Sequence, residues 1–251
     1  MIKSERHQLI LDRVEKNGIV ITKELVLELK VAEDTIRKDF QELSSKGLVR
    51  RVHGGVLKIE NKISNFDDRI DKDLSLKEKL CLSTLKFIKD DQVIFIDGST
   101  TNLVLAKMLV NDYKGMVITN SPSISLALCN QNQIDINVIG GKLNPNSKVI
   151  SGSASIQQIR NLNIECTILG ISSLSIEGGI TYPFYEESLM KSELIKHSNK
   201  LIVIAIKNKL ERIATFKSGD IESIDYIITD EDDESILYKY REKGAKIISV
   251  K

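Results

Sequence analysis

The feature that most constrains the fold of this chain is a series of seven short apolar runs after residue 90. The runs are rich in β-branched residues, and segments long enough to form helices separate them. Strands that are apolar along their whole length, rather than at every second position, are typical of parallel sheets covered on both faces. The sequence therefore predicts an α/β fold with a mostly parallel sheet, whose strands are Val93–Asp97, Met116–Thr119, Ile136–Gly140, Cys166–Ile171, Leu201–Ile206, Tyr226–Thr229 and Ile247–Val250.

A different pattern precedes these runs, between residues 35 and 56. Apolar residues such as Ile36 and Phe40 recur there at helical spacing, which places them on one face for burial. Gly47 then ends the helix, and residues 48–55 have the pattern of a strand turned back by a glycine pair. A helix, a glycine stop and an Arg-rich hairpin in this order outline a winged helix-turn-helix.

The polar side chains of this predicted helix and hairpin are of the types that bond base edges and phosphates. Residues 36–58 carry six basic side chains against two acidic ones, although the formal net charge of the whole chain is only +1. A charge run alone is more simply a solvated face, but its coincidence with the helix and hairpin favours a DNA-binding surface. The residues predicted to contact DNA are Thr35, Arg37, Lys38, Gln41, Arg50, Arg51 and His53.

The length of 251 residues accommodates both patterns as separate domains. We predict a winged helix-turn-helix over residues 1–57, a charged linker over residues 58–74 and an α/β effector domain over residues 75–251. The linker prediction includes a short helix that contacts the next domain.

The cysteine pattern and the hydropathy of the chain limit the classes of protein to consider. Cys81, Cys129 and Cys166 stand singly among apolar neighbours, without metal-ligand spacing. They are therefore predicted to be buried free thiols, and no metal or other cofactor is expected. The sequence shows neither a signal-peptide pattern nor an apolar run of about 18 residues, so we expect a cytoplasmic protein without a membrane span.

Small and hydroxyl-bearing residues follow several of the predicted strands, at the edge where open α/β sheets bind ligands. In the segment DGSTT, a glycine lets the backbone approach a ligand, and the hydroxyl and N–H groups at a helix start suit a phosphate. Alone, this motif fits a simple helix cap equally well, but similar turns after the next strands favour a ligand site. The predicted lining residues are Asp97, Gly98, Ser99, Thr100, Thr101, Asn120, Gly140 and Gly141.

The predicted helix and hairpin, together with Arg6, Leu9, Ile10, Gly18 and Leu25 upstream, closely resemble the DeoR family of bacterial sugar-metabolism regulators. The segments DGSTT, TNS, GGKL and SG match the effector domain typical of that family in order and spacing. The resemblance implies a domain similar in fold to ribose-5-phosphate isomerase and coenzyme A transferases, which binds a phosphorylated sugar or related metabolite.

The resemblance extends to three charged residues later in the chain. It implies that Lys191 faces the anionic group of the ligand, that Glu187 faces a hydroxyl, and that Lys209 belongs to the same site. Glu187 and Lys191 are four residues apart in a predicted helix, so a solvent-exposed ion pair is the alternative interpretation.

Three positions depart from the family pattern. Lys30 stands where the turn usually carries Gly, and Ala32 stands where a Ser usually caps the recognition helix. A missing cap should cost about 1 kcal/mol. Ile206 stands where an Asp is common, three residues before Lys209. An Asp there could bond sugar hydroxyls or hold the lysine, so we expect a variant ligand or weaker recognition.

These observations favour a DNA-binding transcriptional regulator, in the simplest case a repressor of a carbohydrate-metabolism operon controlled by a phosphorylated metabolite. It is expected to act as a homo-oligomer, either a dimer or a tetramer, on double-stranded operator DNA. A sugar-phosphate isomerase or transferase is one alternative, but it needs a general acid and base, and the carboxylate expected at Ile206 is missing. A regulator with a vestigial ligand site is the other, and the presence of Lys191 and Lys209 disfavours it.

Overall fold

The two sequence patterns form two separate units in the computed structural model. The structure describes residues 3–46, 48–52, 54–58, 65–109 and 113–250, without the side chains of residues 15, 16, 50 and 58. The division between the units falls between Ile63 and Ser64.

The first unit is a winged helix-turn-helix. Its elements are α1 (Lys3–Asn17), β1 (Ile19–Ile21), α2 (Thr22–Leu29), α3 (Glu33–Ser45), β2 (Val49–Val52) and β3 (Gly55–Lys58). Ile36 and Phe40 are buried as their spacing predicts, together with Leu43, Val49 and Val56, in one small core. The strands form an antiparallel sheet in the order β1-β3-β2.

The sheet of the first unit joins the hairpin to the segment before α2. Strand β3 pairs with β1 as well as with β2, with Val20 opposite Val56 and Ile21 opposite Gly55. A Cβ atom at Gly55 would collide with the carbonyl oxygen of Val20. The hairpin is therefore held against β1 next to its turn, where Gly55 pairs with Val52, by a close backbone approach that only glycine permits.

The two departures in the turn before α3 have visible structural consequences. Lys30 adopts a left-handed conformation, with φ of 50°, which glycine adopts at lower cost. Ala32 is the N-cap residue of α3, and its side chain makes no capping hydrogen bond. Both observations agree with the expectation of a weakened turn.

A buried ionic network connects α1 to α3. Arg6 donates to the carboxylate of Asp39 through Nε and, at 3.0 Å, through Nη2. His7 Nε2 lies 2.9 Å from Asp39 Oδ1. Asp39 is only 2% exposed, so this acidic residue of α3 lies in the interior and adds no negative charge to the exposed face of the helix.

The second unit is built on a seven-stranded, wholly parallel sheet, which confirms the predicted fold class. All seven apolar runs contribute a strand. In spatial order from one edge to the other, the strands are β15 (Lys246–Ser249), β14 (Tyr226–Thr229), β12 (Leu201–Ala205), β9 (Cys166–Gly170), β4 (Val93–Ile96), β5 (Gly115–Thr119) and β6 (Ile134–Val138).

Helices cover this sheet on both faces, and they are α4 (Phe66–Ile70), α5 (Leu74–Leu85), α6 (Thr100–Leu109), α7 (Pro122–Leu128), α8 (Ser153–Ile159), α9 (Tyr185–Lys196) and α10 (Glu234–Glu242). Alternate residues of one strand enter different cores: Phe95 belongs to one apolar cluster, and Ile94 and Ile96 belong to the other. This arrangement explains why the runs are continuously apolar.

Two small antiparallel elements were not anticipated. One is a three-stranded sheet of β10 (Ser173–Ser175), β11 (Gly179–Tyr182) and β13 (Phe216–Gly219). The other is a hairpin of β7 (Lys142–Asn144) and β8 (Val149–Ser151). Their strands are too short for the alternation of polar and apolar residues to be recognisable.

The segment predicted as a linker is partly structured. Residues 59–64 lie outside the described residues, but α4 and the first residue of α5 fall within the range 58–74. Phe66 is 1% exposed and belongs to a core of the second unit, in agreement with the short helix that the sequence suggested. The second unit thus includes residues that the sequence analysis placed before it.

Two further predictions concern the cysteines and the membrane. Cys81 and Cys166 are buried free thiols, as predicted, whereas Cys129 is exposed at the end of α7, and its predicted burial is wrong. Within the described ranges, none of the helices is long and apolar enough to cross a bilayer.

Candidate DNA-reading surface and effector site

The recognition helix α3 presents its predicted DNA-contacting residues on the face opposite the core. Arg37, Lys38 and Gln41 are exposed, and Thr35 is half-buried at the flank. In the hairpin, which we call the wing, Arg51 is exposed as well. The structure therefore brings these five residues to the surface of the first unit.

Two predicted DNA contacts in the wing cannot be placed. The backbone of Arg50 belongs to β2, but its side chain is outside the described part of the chain, and so is the whole of His53. Arg51 Nη1 donates to Gln41 Oε1 at 3.5 Å, at the outer limit of a hydrogen bond. This contact links the wing to the recognition helix.

A groove with a volume of about 540 Å³ lies between α3 and the wing, and we call it the reading groove. Its charged lining residues are Lys23, Glu33, Arg37 and Arg51, and the wing also contributes Gly54 and Gly55. Arg37 Nη2 donates to Glu33 Oε1 at 2.7 Å across one turn of the helix. A groove with this excess of basic side chains suits a polyanion.

In the second unit, the predicted ligand residues converge because parallel strands end at one edge of a sheet. Asp97 follows β4 and Asn120 follows β5. Asp97 accepts hydrogen bonds from Asn120 Nδ2 at 3.1 Å and from the backbone N–H of Gly170, the last residue of β9, at 2.9 Å. One carboxylate thus joins the ends of three strands.

Lys191 of α9 completes this arrangement with an ion pair to Asp97 in which both side chains are fully buried. A solvent-exposed pair of Glu187 with Lys191 is therefore the wrong alternative. Glu187 Oε1 lies 3.9 Å from Lys191 Nζ and is the more exposed partner. Burial raises the pKa of Glu187, and the positive charge of Lys191 partly offsets that rise.

Lys209 lies beyond the end of β12, in a short 3₁₀ turn of residues 207–209. Its Nζ donates to the carbonyl oxygen of Ile171 at 2.7 Å. Burial, followed by the nearby guanidinium of Arg69, lowers the pKa of Lys209 to about 8. Because its pKa is lowered, Lys209 loses its proton more easily than an exposed lysine does. A bound anion would stabilise the charged form of its ammonium group.

Three basic residues of this region were not predicted from the sequence. Arg69 of α4 acts electrostatically on both Glu187 and Lys209, and Lys77 of α5 and Arg212 act on Lys209. Lys77 is 4% exposed, and its Nζ donates to the carbonyl oxygens of Arg69 and, at 3.1 Å, of Ile70.

A sequence signal for Lys77 existed, whereas Arg69 had none. Lys77 precedes Leu80, Cys81 and Thr84 by three, four and seven residues, so it shares their buried helical face. Arg69 lies in a charged segment in which no residue stands out. We refer to Arg69, Lys77, Glu187, Lys209 and Arg212 as the charged cluster.

The turn residues after β4 have mainly local partners. Ser99 Oγ accepts from the N–H of Asn102, so it serves as a cap for α6. The N–H of Gly98 donates to Asn120 Oδ1 at 2.9 Å, and a Cβ at Gly98 would collide with Val149. Thr100 is buried and Thr101 is half-buried. The cap interpretation of DGSTT therefore describes Ser99 correctly.

The glycine pair after β6 lies further out. Gly140 and Gly141 are exposed, and the carbonyl of Gly140 accepts from Ser155 Oγ at 2.9 Å. A second hydroxyl close to the Asp97 network, that of Ser121, is buried and has no hydrogen-bond partner among the described atoms. It was not singled out in the sequence, because its neighbour Asn120 carried the prediction.

Ile206 follows β12 and packs, partly buried, against one of the apolar cores. A carboxylate close to this position follows the neighbouring strand β14: Asp230 Oδ1 accepts from the N–H of Lys207 at 2.6 Å. Within the described ranges, no group of three or more His, Cys, Asp or Glu side chains could hold a metal ion.

Comparison with known protein families places both units in one family. Residues 6–62 match the DeoR-like helix-turn-helix domain, and residues 72–231 match the DeoR C terminal sensor domain.

Curated relatives match nearly end to end. The chain is 32% identical over 242 residues to the HTH-type transcriptional regulator GolR of Listeria innocua, covering 95% of each chain. It is 30% identical over 251 residues to the glycerol-3-phosphate regulon repressor of Haemophilus influenzae, covering 99% of this chain and 97% of the relative. It is 28% identical over 232 residues to the HTH-type transcriptional repressor GlcR of Bacillus subtilis, covering 92% and 89%.

Solved structures match part of the chain. A D-ribose-5-phosphate isomerase in complex with phospho-erythronic acid has a TM-score of 0.40 and 17% identity, over 54% of this chain and 53% of that one. The delta subunit of eIF2B from Chaetomium thermophilum has a TM-score of 0.47 and 13% identity, over 66% and 60%.

Proposed function

Because the chain belongs to the DeoR family of transcriptional regulators, we propose that it represses a carbohydrate-metabolism operon under the control of a phosphorylated sugar or related metabolite. Its full-length relatives are named regulators and not enzymes, so the isomerase or transferase alternative is set aside. The chain is a DNA-binding regulator, and its effector and contact residues are the subject of the proposal.

The observation that carries the effector proposal is the charge balance around Lys209. Arg69, Arg212 and Lys77 all add positive charge to its surroundings, and Glu187 supplies negative charge. Like charges held near a desolvated ammonium are unfavourable. A phosphate dianion placed among these groups would relieve that repulsion and accept charge-assisted hydrogen bonds from Arg and Lys.

The Asp97 network has a supporting role in this proposal. Both carboxylate oxygens of Asp97 have partners inside the protein. We therefore assign Asp97 and Asn120 to shaping the site, and the basic members of the charged cluster to holding the anion. The turn residues Gly98–Thr101 and the pair Gly140–Gly141 remain proposed neighbours of the sugar portion.

On the DNA side, we propose that α3 enters the major groove and that the wing contacts the backbone. Thr35, Arg37, Lys38 and Gln41 would read or approach base edges, whereas Arg50, Arg51 and His53 would add backbone contacts. In a homo-oligomer in the cytoplasm, two such helices would reach successive half-sites of one operator. An effector that binds the DNA-incompetent arrangement more tightly would then release the operator.

The test is binding of the purified full-length protein to its own upstream promoter DNA, with and without a panel of sugar phosphates and the matching unphosphorylated sugars. We expect specific binding that one phosphorylated compound abolishes. Lys209→Gln should lose that response, and Lys239→Gln, an exposed lysine of α10 outside the cluster, should keep it. Specific binding insensitive to every compound would refute the effector proposal, and absence of specific binding would refute the DNA assignment.

A further inference from the structure

Glu33, Arg37 and Gln41 form a polar stripe along the exposed face of α3. They are spaced four residues apart, so they lie above one another on the helix. Arg37 Nη2 donates to Glu33 Oε1 at 2.7 Å, and Gln41 Oε1 accepts from Arg51 of the wing at 3.5 Å. Both arginines of the reading groove are thus paired with acceptors on this stripe.

The carboxylate of Glu33 is unexpected at this place. It lines the reading groove together with three basic side chains, those of Lys23, Arg37 and Arg51. A surface that approaches DNA meets phosphates, so a carboxylate there weakens binding to every DNA sequence. A loss of affinity increases specificity when it is larger for non-specific DNA than for the operator.

The pairing geometry shows how the carboxylate can improve discrimination. A guanidinium has five N–H donors in a planar fork, and the bond to Glu33 engages Nη2. Anchoring one nitrogen restricts the rotation of the guanidinium, whose remaining donors can then present a bidentate edge to guanine O6 and N7. Without the anchor, the long side chain of Arg37 can turn to a phosphate instead.

The pair is weak before DNA binds, since the two side chains are 59% and 50% exposed and exposed ion pairs contribute little. Closing the groove against DNA removes water from around it. The attraction between the two charges then grows, because the local dielectric falls. The restraint on Arg37 is therefore strongest at the moment when bases are compared.

We propose that Glu33 is a positioning residue for Arg37, which holds the guanidinium toward a base edge and keeps it from the phosphates. It lowers the affinity for non-specific DNA more than the affinity for the operator. The inference rests on the proposal that α3 is the DNA-reading helix. Removing the charge of Glu33 should therefore lower the specificity for the operator without a matching fall in overall DNA affinity.

The test uses the full-length protein with Glu33→Gln, which keeps the side-chain size and removes the charge. Sequencing of DNA selected from a randomised pool gives the motif, and titration of selected and scrambled duplexes gives the specificity ratio. We expect the ratio to fall about tenfold, with equal or tighter binding of scrambled DNA. Asp34→Asn is the matched control, because it changes the same charge in the same first turn but does not line the groove.

A second comparison separates positioning from direct reading. In an Arg37→Ala background, Glu33→Gln should cause no further change in the motif. Relaxation that persists there would make Glu33 a base-reading residue and overturn the proposal, as would an unchanged ratio in Glu33→Gln, or equal losses for both duplexes.

Two outcomes would reach further than this inference. If Arg37→Ala alone leaves the motif intact, the proposed base contact of Arg37 fails, and the inference fails with it. If the wild-type protein selects no motif, the proposed function fails as well. Thermal unfolding of each variant, followed by circular dichroism, shows whether a loss of binding reflects a loss of fold.

Discussion

Lys209 Nζ donates to the carbonyl oxygen of Ile171 at 2.7 Å. Ile171 lies just beyond the end of β9, the strand beside β12. Ile206, at the position where the resemblance implies an Asp, packs against the core instead. A carbonyl dipole stabilises an ammonium less than a carboxylate does. This difference is consistent with the lowered pKa of Lys209, which is about 8.

Ile206→Asp should change effector recognition. The new carboxylate would pair with Lys209, raise its pKa and compete with the anionic group of the ligand, or bond a sugar hydroxyl. We expect a change of about tenfold in ligand affinity, as for one charge-assisted hydrogen bond, measured by calorimetric titration of the active sugar phosphate. Ile206→Asn is the control for polarity without charge. Unchanged ligand affinity and selectivity in Ile206→Asp would refute a role of position 206 in effector recognition.

Raising the pH should weaken the binding of the effector and increase the free energy of unfolding of the ligand-free protein. The folded pKa of Lys209, about 8, is below its ordinary value of 10.5, so the unfolded chain binds more protons between these values. The contribution of Lys209 to the free energy of unfolding therefore rises from pH 8 to pH 10. Over the same range the uncharged amine loses its attraction for phosphate.

Denaturant titration and ligand titration at pH 7, 8, 9 and 10 would measure both trends. Lys209→Arg should remove them, because a guanidinium stays charged throughout this range. The same pH profile in wild type and Lys209→Arg would assign the trends to other groups.

Asp97→Asn should destabilise the second unit strongly. It removes the fully buried partner of the Lys191 ammonium and leaves only Glu187, 3.9 Å away and more exposed, as a counter-charge. Breaking one side of a buried pair costs about 3–5 kcal/mol. Urea unfolding should show the loss, and the double variant Asp97→Asn with Lys191→Met should recover part of it. If the double variant were as unstable as the sum of both single variants, the ion pair would not be the reason.

Ala32→Ser should stabilise the first unit. A serine hydroxyl at this N-cap can accept a backbone N–H at the start of α3, which Ala32 cannot do, and the gain should be about 1 kcal/mol. Thermal unfolding would measure it. The isosteric pair Ala32→Thr and Ala32→Val isolates the hydroxyl, and equal stability of these two would argue against capping.

The sequence predicted the fold well where the buried residues form either a continuous apolar run or a helical period. The strands of the parallel sheet are buried on both faces, so each of the seven runs was recognisable by itself. The core face of α3 followed from the spacing of Ile36 and Phe40 in the same way. The short strands β7, β8, β10, β11 and β13 were missed, because three or four residues do not display a period.

Charged residues inside the protein were the main failure of sequence reasoning. Asp39, Lys77 and Lys191 are buried, although charged residues are usually exposed. Their partners are distant in sequence: Asp39 pairs with Arg6, and Lys191 pairs with Asp97. Such pairing depends on the tertiary fold, and no local pattern reveals it. For the same reason Arg69 was assigned to a linker.

The wing and the exposed face of α3 are under different structural constraints, so their sequences are expected to change at different rates during evolution. Gly55 leaves no room for a side chain beside Val20, and β1 closes the sheet on that side, so the wing cannot be exchanged without rebuilding β1. The stripe of Glu33, Arg37 and Gln41 lies at the surface and supports no core contact. Under the proposed reading of the operator by α3, single substitutions in the stripe are enough to change the operator preference after a gene duplication. Paralogues in one genome are expected to differ in this helix before they differ in the wing.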